Sequence, residues 1–214
     1  MSSSREVAAL ACGIAVLYAA ASPRAGDAPR TFVYECGDGA EVVVRLREDA
    51  AWVFAPGETL ELSHVPAASG ARYEADGTML WMKGQEAMFT HAGQSYQGCR
   101  NNPARAVWED AKLSGVDFRA VGNEPGWYLE ISGKTRILLV TDYGQKRYRF
   151  EAQRPVNDQT ARSTTYGARG PEHRLKVMVA AETCYDTMSG EAFESTVTVW
   201  LDGKTYHGCG RPLH

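Results

Sequence analysis

The chain has 214 residues, 44% of them hydrophobic and 23% charged, with a formal net charge of −3. This composition excludes a disordered or collagen-like chain and suits one large core or two small ones. Ten tyrosines, five tryptophans and 21 glycines, without long leucine-rich periodic runs, point to β structure.

The first element is an export signal over residues 1–21. Arg5 supplies a positive start, Val7–Ala21 (VAALACGIAVLYAAA) is uncharged, and Ala19-Ala20-Ala21 offers an A-x-A cleavage site. A spanning helix needs about 20 apolar residues, which this stretch does not reach, so the mature chain is expected to hold no membrane span. Cys12 as a lipid attachment point is the less favoured reading. Ala9-Leu10-Ala11 makes a poor lipobox, and most of the apolar run follows the cysteine. The expected location is the periplasm.

From Thr31 the sequence alternates with period two: Phe32–Cys36, Glu41–Leu46, Ala51–Phe54, Thr59–His64, Ala71–Glu74, Thr78–Lys83, Glu86–Thr90 and Ser95–Cys99. Turn residues separate these runs, and Asp76-Gly77 is the strongest hairpin signal among them. Arg100–Arg105 reads as linker, with a short helical turn over Val107–Leu113. A second series follows: Phe118–Val121, Trp127–Ile131, Arg136–Thr141, Lys146–Ala152, Arg174–Glu182 and Phe193–Leu201, then Lys204–Cys209 after Asp202-Gly203. Short strands at close spacing predict an all-β protein of two small antiparallel modules. The expected division is 31–100, a linker at 101–116, and 117–214.

Beyond the export signal the cysteines are Cys36, Cys99, Cys184 and Cys209. An even number in an exported chain implies disulfides. Spacing alone leaves all three pairings open. The two-module reading favours Cys36–Cys99 and Cys184–Cys209, each closing its own module. No C-x-x-C or Cys/His cluster suggests a metal site, and no cofactor is expected.

Charge is divided unevenly. Residues 31–99 carry ten acids and four bases, whereas residues 100–214 carry 16 bases and 14 acids. An acidic first module argues against a nucleic-acid partner. It suits either plain solubility or steered association with a basic protein.

Four short motifs then acquire a joint meaning: Tyr34-Glu-Cys36, Ser69-Gly-Ala-Arg-Tyr73, Leu80-Trp-Met-Lys-Gly84 and Tyr96-Gln-Gly-Cys99. Together they resemble the MliC family of bacterial periplasmic or membrane-anchored inhibitors of c-type lysozyme. The resemblance covers about residues 31–100 and implies an eight-stranded antiparallel barrel with one disulfide. It further implies that c-type lysozyme is the partner and that a loop plugs the lysozyme cleft. Ser69 and Lys83 would enter the active site, Arg72 and Tyr73 would shape or flank the loop, and Gly70 and Gly84 would belong to the same partner-binding set. Relatives often carry serine where Ala67 stands here, and many carry a clear lipobox.

The residue chemistry agrees with that role. Lysozyme works with a protonated carboxylic acid and an ionised partner, and such a pair in retaining glycosidases lies about 5–5.5 Å apart. An ammonium has three donors and no acceptor, so one lysine can bridge both groups. Alone, a lysine before glycine is ordinarily a solvated charge and a serine before glycine a turn former. Only the combined motif gives Lys83 and Ser69 a functional reading; Trp81 reads as structural.

In the second module, Gly122-Asn-Glu-Pro-Gly-Trp127, Cys184-Tyr-Asp-Thr-Met-Ser-Gly190 and Gly208-Cys-Gly-Arg-Pro-Leu213 resemble envelope domains related to the META/heat-shock-lipoprotein group. That resemblance implies a small β fold with a contact surface for an unidentified ligand or protein, and names no reaction. Asn123, Glu124 and Asp186 are its only candidate catalytic groups, and no nucleophile–base spacing accompanies them. The leading expectation is therefore a non-enzymatic inhibitor. The alternative is an envelope stress, scaffold or ligand-binding protein acting through the second module.

Overall fold

The computed structural model describes residues 30–55 and 57–214; the expected export signal and Cys12 lie outside them. Eight strands follow one another: β1 (Arg30–Glu35), β2 (Glu41–Arg47), β3 (Ala50–Ala55), β4 (Glu58–Val65), β5 (Ala71–Ala75), β6 (Thr78–Lys83), β7 (Glu86–His91) and β8 (Gln94–Asn101). Each pairs with the next in antiparallel register, and β8 returns to β1, closing a barrel. Alternation sets the wall. On β6, Thr78, Leu80 and Met82 are buried while Trp81 and Lys83 are exposed. Tyr34, Val44, Val53, Leu62 and Leu80 are at most 1% exposed and fill the interior. Burying each apolar side chain of this size contributes about 1.5–3 kcal/mol before the entropy of ordering it is counted.

Closure is weakest where the ends meet. Only Tyr34↔Asn101 and Glu35↔Arg100 pair across β1 and β8, against six partners across β1 and β2. The Cys36–Cys99 disulfide crosses this seam, as the module reading expected. Asn101 Oδ1 accepts from the Val33 amide at 3.2 Å and lengthens the seam by one further bond.

The expected linker contains a longer helix than the sequence indicated, α1 (Pro103–Leu113). Asn102 caps it, its side chain accepting from the Arg105 amide at 3.1 Å, and Pro103 opens the first turn without a wasted donor. The Asn-Asn-Pro run that suggested linker is thus a helix start. α1 lies against β1 and β2 through Thr31 Oγ1–Asp110 (2.6 Å), Arg45–Ser114 (2.9 Å) and Arg105–Glu41 (2.7 Å). Its Trp108 is buried on the other side against Phe193, the ring centroids 5.3 Å apart.

The second module comprises β9 (Phe118–Asn123), β10 (Gly126–Ser132), β11 (Arg136–Thr141), β12 (Lys146–Glu151), β13 (Val156–Asp158), β14 (Ser163–Arg169), β15 (Arg174–Ala180), the short pair β16 (Cys184–Tyr185) and β17 (Ala192–Phe193), then β18 (Ser195–Leu201) and β19 (Lys204–Pro212). Nine of these form one sheet in the order β12-β11-β10-β9-β19-β18-β15-β14-β13. The sheet curls until Ala152 bridges Ala168, wrapping Trp127, Leu129, Ile137, Leu139, Val177 and Val199. Cys184–Cys209 ties the β16–β17 loop to β19, again the expected pairing. β13 and β14 were not expected from the sequence, because Ser163-Thr-Thr-Tyr-Gly-Ala-Arg169 marks its inward face with Tyr166 and Ala168 alone.

Candidate functional site

β5 and β6 run antiparallel with Ala71 opposite Met82. Continuing that register sets Gly70 opposite Lys83, so the 66–70 loop and the β6–β7 turn share one rim of the barrel. Gly70 is fixed there by its backbone. It has φ +72°, and a Cβ would stand 2.3 Å from the Met82 carbonyl oxygen, so no other residue fits without moving β6. Ser69 precedes it, exposed, with its own carbonyl accepting from the indole N–H of Trp81 at 2.8 Å. Gly84, at φ +61°, makes the turn that ends β6.

Lys83 closes β6 with its side chain outward and exposed. Its cross-strand neighbour is Glu86, but that carboxylate pairs with Arg100 at 3.1 Å. Among the described residues Lys83 makes no ion pair. Trp81 sits two residues away on the same outer face, opposite Met88. Beside them is a shallow cleft of about 220 Å³ lined by Trp81, Lys83, Glu86, Met88 and Gln97.

The other expected site residues occupy different positions. Arg72 is exposed on β5 and pairs with Glu74, two residues further along the same strand from the loop. Tyr73 points into the barrel at 6% exposure, edge-on to His64 at 5.3 Å. The alternation that exposes Arg72 buries Tyr73, so this ring supports the strand from within and offers no surface to a partner. Burial raises the Tyr73 hydroxyl above its usual pKa, with Arg30 opposing and Asp49 adding to the shift. Its neighbour Tyr34 is pushed up to about 12, mainly by burial and further by Tyr73. Ser69, Gly70, Arg72, Lys83 and Gly84 thus gather on one rim, with Tyr73 beneath.

Trp81, read from the sequence as structural, is exposed yet holds the loop through its indole N–H. An indole at an outward position, in line with a lysine, was the available signal; the bond to Ser69 needed the fold to appear. The wall bearing this rim, β5 to β7, stands opposite β1 and β2 in the barrel order. The helix and the second sheet therefore pack on the far side from it.

In the second module, Asp186 is a loop anchor. One oxygen accepts from the Met188 and Ser189 amides at 3.0 and 2.7 Å, and the other from Asn123 at 2.8 Å. These bonds, the Ser189 amide first, hold its carboxyl below the usual range. Glu124 is exposed in the β9–β10 turn. Among the described residues no group of three His, Cys, Asp or Glu is placed to hold a metal ion, and no helix is long and apolar enough to cross a membrane.

Comparison with known proteins bears on the barrel alone. Residues 34–97 match the sequence model of the MliC family, described as membrane-bound lysozyme-inhibitor of c-type lysozyme. Among solved structures, the crystal structure of Pseudomonas aeruginosa MliC in complex with hen egg white lysozyme aligns at 28% identity with a TM-score of 0.30. The alignment covers 42% of this chain and 99% of that one. No curated protein matches.

Proposed function

We propose that this MliC-type barrel binds a c-type lysozyme and blocks it by occlusion, without catalysing a reaction. The carrying observation is the exposed ammonium of Lys83, unpaired among the described residues and one register step from a tethered Ser69 loop, inside the segment that matches the inhibitor family. In this reading residues 31–100 are the inhibitory unit, 101–116 the connection, and 117–214 a separate module on the opposite wall. The rim stays open to a partner, and the work is done in the periplasm.

Lys83 enters the lysozyme cleft and stands between the two catalytic carboxyls. At about 4 Å and an effective dielectric of 20, one such pair is worth roughly 4 kcal/mol before desolvation. Removing water from both ions takes back much of that. Ser69 is short enough to donate to a carboxylate while the backbones remain in contact. Arg72 flanks the loop from the start of β5, and Gly70 and Gly84 keep the rim free of side-chain bulk. The acidic character of residues 31–99 steers a basic partner toward the barrel.

A lysozyme turbidity assay tests the proposal. The wild-type chain inhibits, and Lys83→Ala weakens inhibition by at least about 2 kcal/mol, or roughly thirtyfold. Equal inhibition by the two proteins places the contact elsewhere on the barrel. No inhibition by the wild type overturns the reading.

A further inference from the structure

The outer face of β11 and β12 carries positive charge that the fold does not neutralise. Alternation turns Ile137, Leu139 and Phe150 inward and leaves Arg136, Arg147 and Arg149 exposed. The ladder sets Arg147 opposite Val140 and Arg149 opposite Leu138, so neither meets an acid across the strands. Glu151, opposite Arg136 and in the wall of the smaller cleft, accepts from the Thr135 hydroxyl and keeps its charge, so the excess positive charge rests on Arg147 and Arg149. Among the described residues these three arginines make no ion pair, whereas Arg72, Arg100, Arg105, Arg119 and Arg211 each do. Like charges on adjacent sheet positions repel, so the cluster costs stability unless an anion joins it.

The face is also recessed. Two clefts, of about 760 and 520 Å³, open on it and share Glu130 and Leu138 in their walls. The larger lies between α1, β1 and the sheet and reaches Arg147; the smaller reaches Arg149 and Arg136. The acids in the larger cleft are already engaged: Glu130 pairs with Arg119, and Asp110 accepts from Thr31. Tyr128 stands on the cleft floor with Arg119 Cζ 4.5 Å from its ring centroid, and its hydroxyl accepts from Arg147 Nη1 at 3.3 Å. Arg147 is thereby oriented without being neutralised.

We propose that this groove between the modules binds an acidic oligosaccharide, with Arg147 and Arg149 holding oxyanions on neighbouring sugars and Arg136 extending the track. Guanidinium forks match carboxylate and phosphate oxygens in paired hydrogen bonds. Two residues along a strand separate Arg147 from Arg149 by about 7 Å, which spaces them for two anions on a chain. A single-stranded nucleic acid would call for a row of exposed stacking rings along the arginine track; the larger cleft holds Tyr128 and the half-buried Phe32, and the Phe150 ring of the smaller cleft is buried. A recess between modules favours a narrow chain over a flat bilayer.

The test is calorimetric titration of the full chain with tetragalacturonate, a maltotetraose phosphorylated on neighbouring glucoses, neutral maltotetraose and a short oligothymidylate. At least one acidic sugar binds while maltotetraose does not, and the better of the two identifies carboxylate or phosphate as the natural charge. R147A/R149A weakens that binding by at least about tenfold, since charge-assisted bonds are lost, and inhibits lysozyme as the wild type does. The proposal falls if neither acidic sugar exceeds maltotetraose, if the double variant binds like the wild type, or if oligothymidylate binds tighter than both sugars. A chain that binds the sugar but leaves lysozyme active overturns only the inhibitor reading.

Discussion

The indole N–H of Trp81 and the main-chain carbonyl of Ser69 lie 2.8 Å apart across the rim, joining β6 to the loop that enters β5. Lys83 follows Trp81 by two residues on the same face of β6. One tryptophan therefore fixes the loop relative to the strand that presents the ammonium, and Gly70 lets the loop come close enough for the bond to form.

Trp81→Phe separates this tether from simple packing. The ring area is largely kept and one hydrogen bond is lost, so the melting free energy drops by about 1 kcal/mol or less. Inhibition of lysozyme falls further than stability does, because a loosened loop must be ordered again on binding. Gly70→Ala has the larger effect on both, since its Cβ meets the Met82 carbonyl and its φ is positive. Unchanged inhibition by Trp81→Phe would show that the loop holds its place without the indole.

The proposed bridging by Lys83 has a pH signature. The ammonium favours the ionised forms of the lysozyme carboxyls, and the general acid of free lysozyme titrates near about 6. Below that value, binding must expel a proton from the acid; above it the proton is already gone. Affinity therefore rises with pH through about 6 and levels off beyond it. Surface plasmon resonance at several pH values measures this directly, and a flat profile between about 5 and 8 removes the bridge.

The rim was legible in the sequence because its parts are local. Ser69-Gly70 and Lys83-Gly84 each announce a turn, and strict alternation on β6 already sends Lys83 outward. Alternation also settles Arg72 against Tyr73, a distinction that motif matching blurs: adjacent residues on a strand face opposite ways, and only Arg72 meets solvent. The Trp81–Ser69 bond and the arginine face depend on which strands become neighbours, which no short window encodes. The same holds for β14, whose Tyr166 and Ala168 face the core among Ser, Thr, Gly and Arg and which is paired along its length with β15.

The barrel seam yields a stability prediction. β1 and β8 share two residue pairs, and the Cys36–Cys99 bridge closes 63 positions of chain beside them. In the chain-entropy account such a crosslink is worth up to about 4 kcal/mol. Cys36→Ser with Cys99→Ser lowers stability by a comparable amount, and hydrogen exchange accelerates first at the Val33–Glu35 and Arg100–Asn101 amides. Cys184→Ser with Cys209→Ser, which releases the β16–β17 loop, leaves those amides protected. Uniform exchange loss across the barrel in the first variant would mean that the seam opens only with global unfolding.

Alkaline pH tests the barrel interior by a different route. Tyr34 is 0% exposed, and burial pushes its hydroxyl up to about 12 from a model-peptide value near 10. Below about 10 the group is protonated in folded and unfolded chains alike, so its contribution to stability is complete there. Between about 10 and 12 the unfolded chain releases the proton while the folded barrel retains it, and stability declines by about 1.4 kcal/mol per pH unit. Tyr34→Phe removes this proton, so its melting temperature falls less steeply across that window than the wild type's. Tyr73, Tyr166 and Tyr206, also raised by burial, remain in the variant and leave a residual slope. Identical slopes for the two proteins would mean that solvent reaches the Tyr34 hydroxyl before the barrel unfolds.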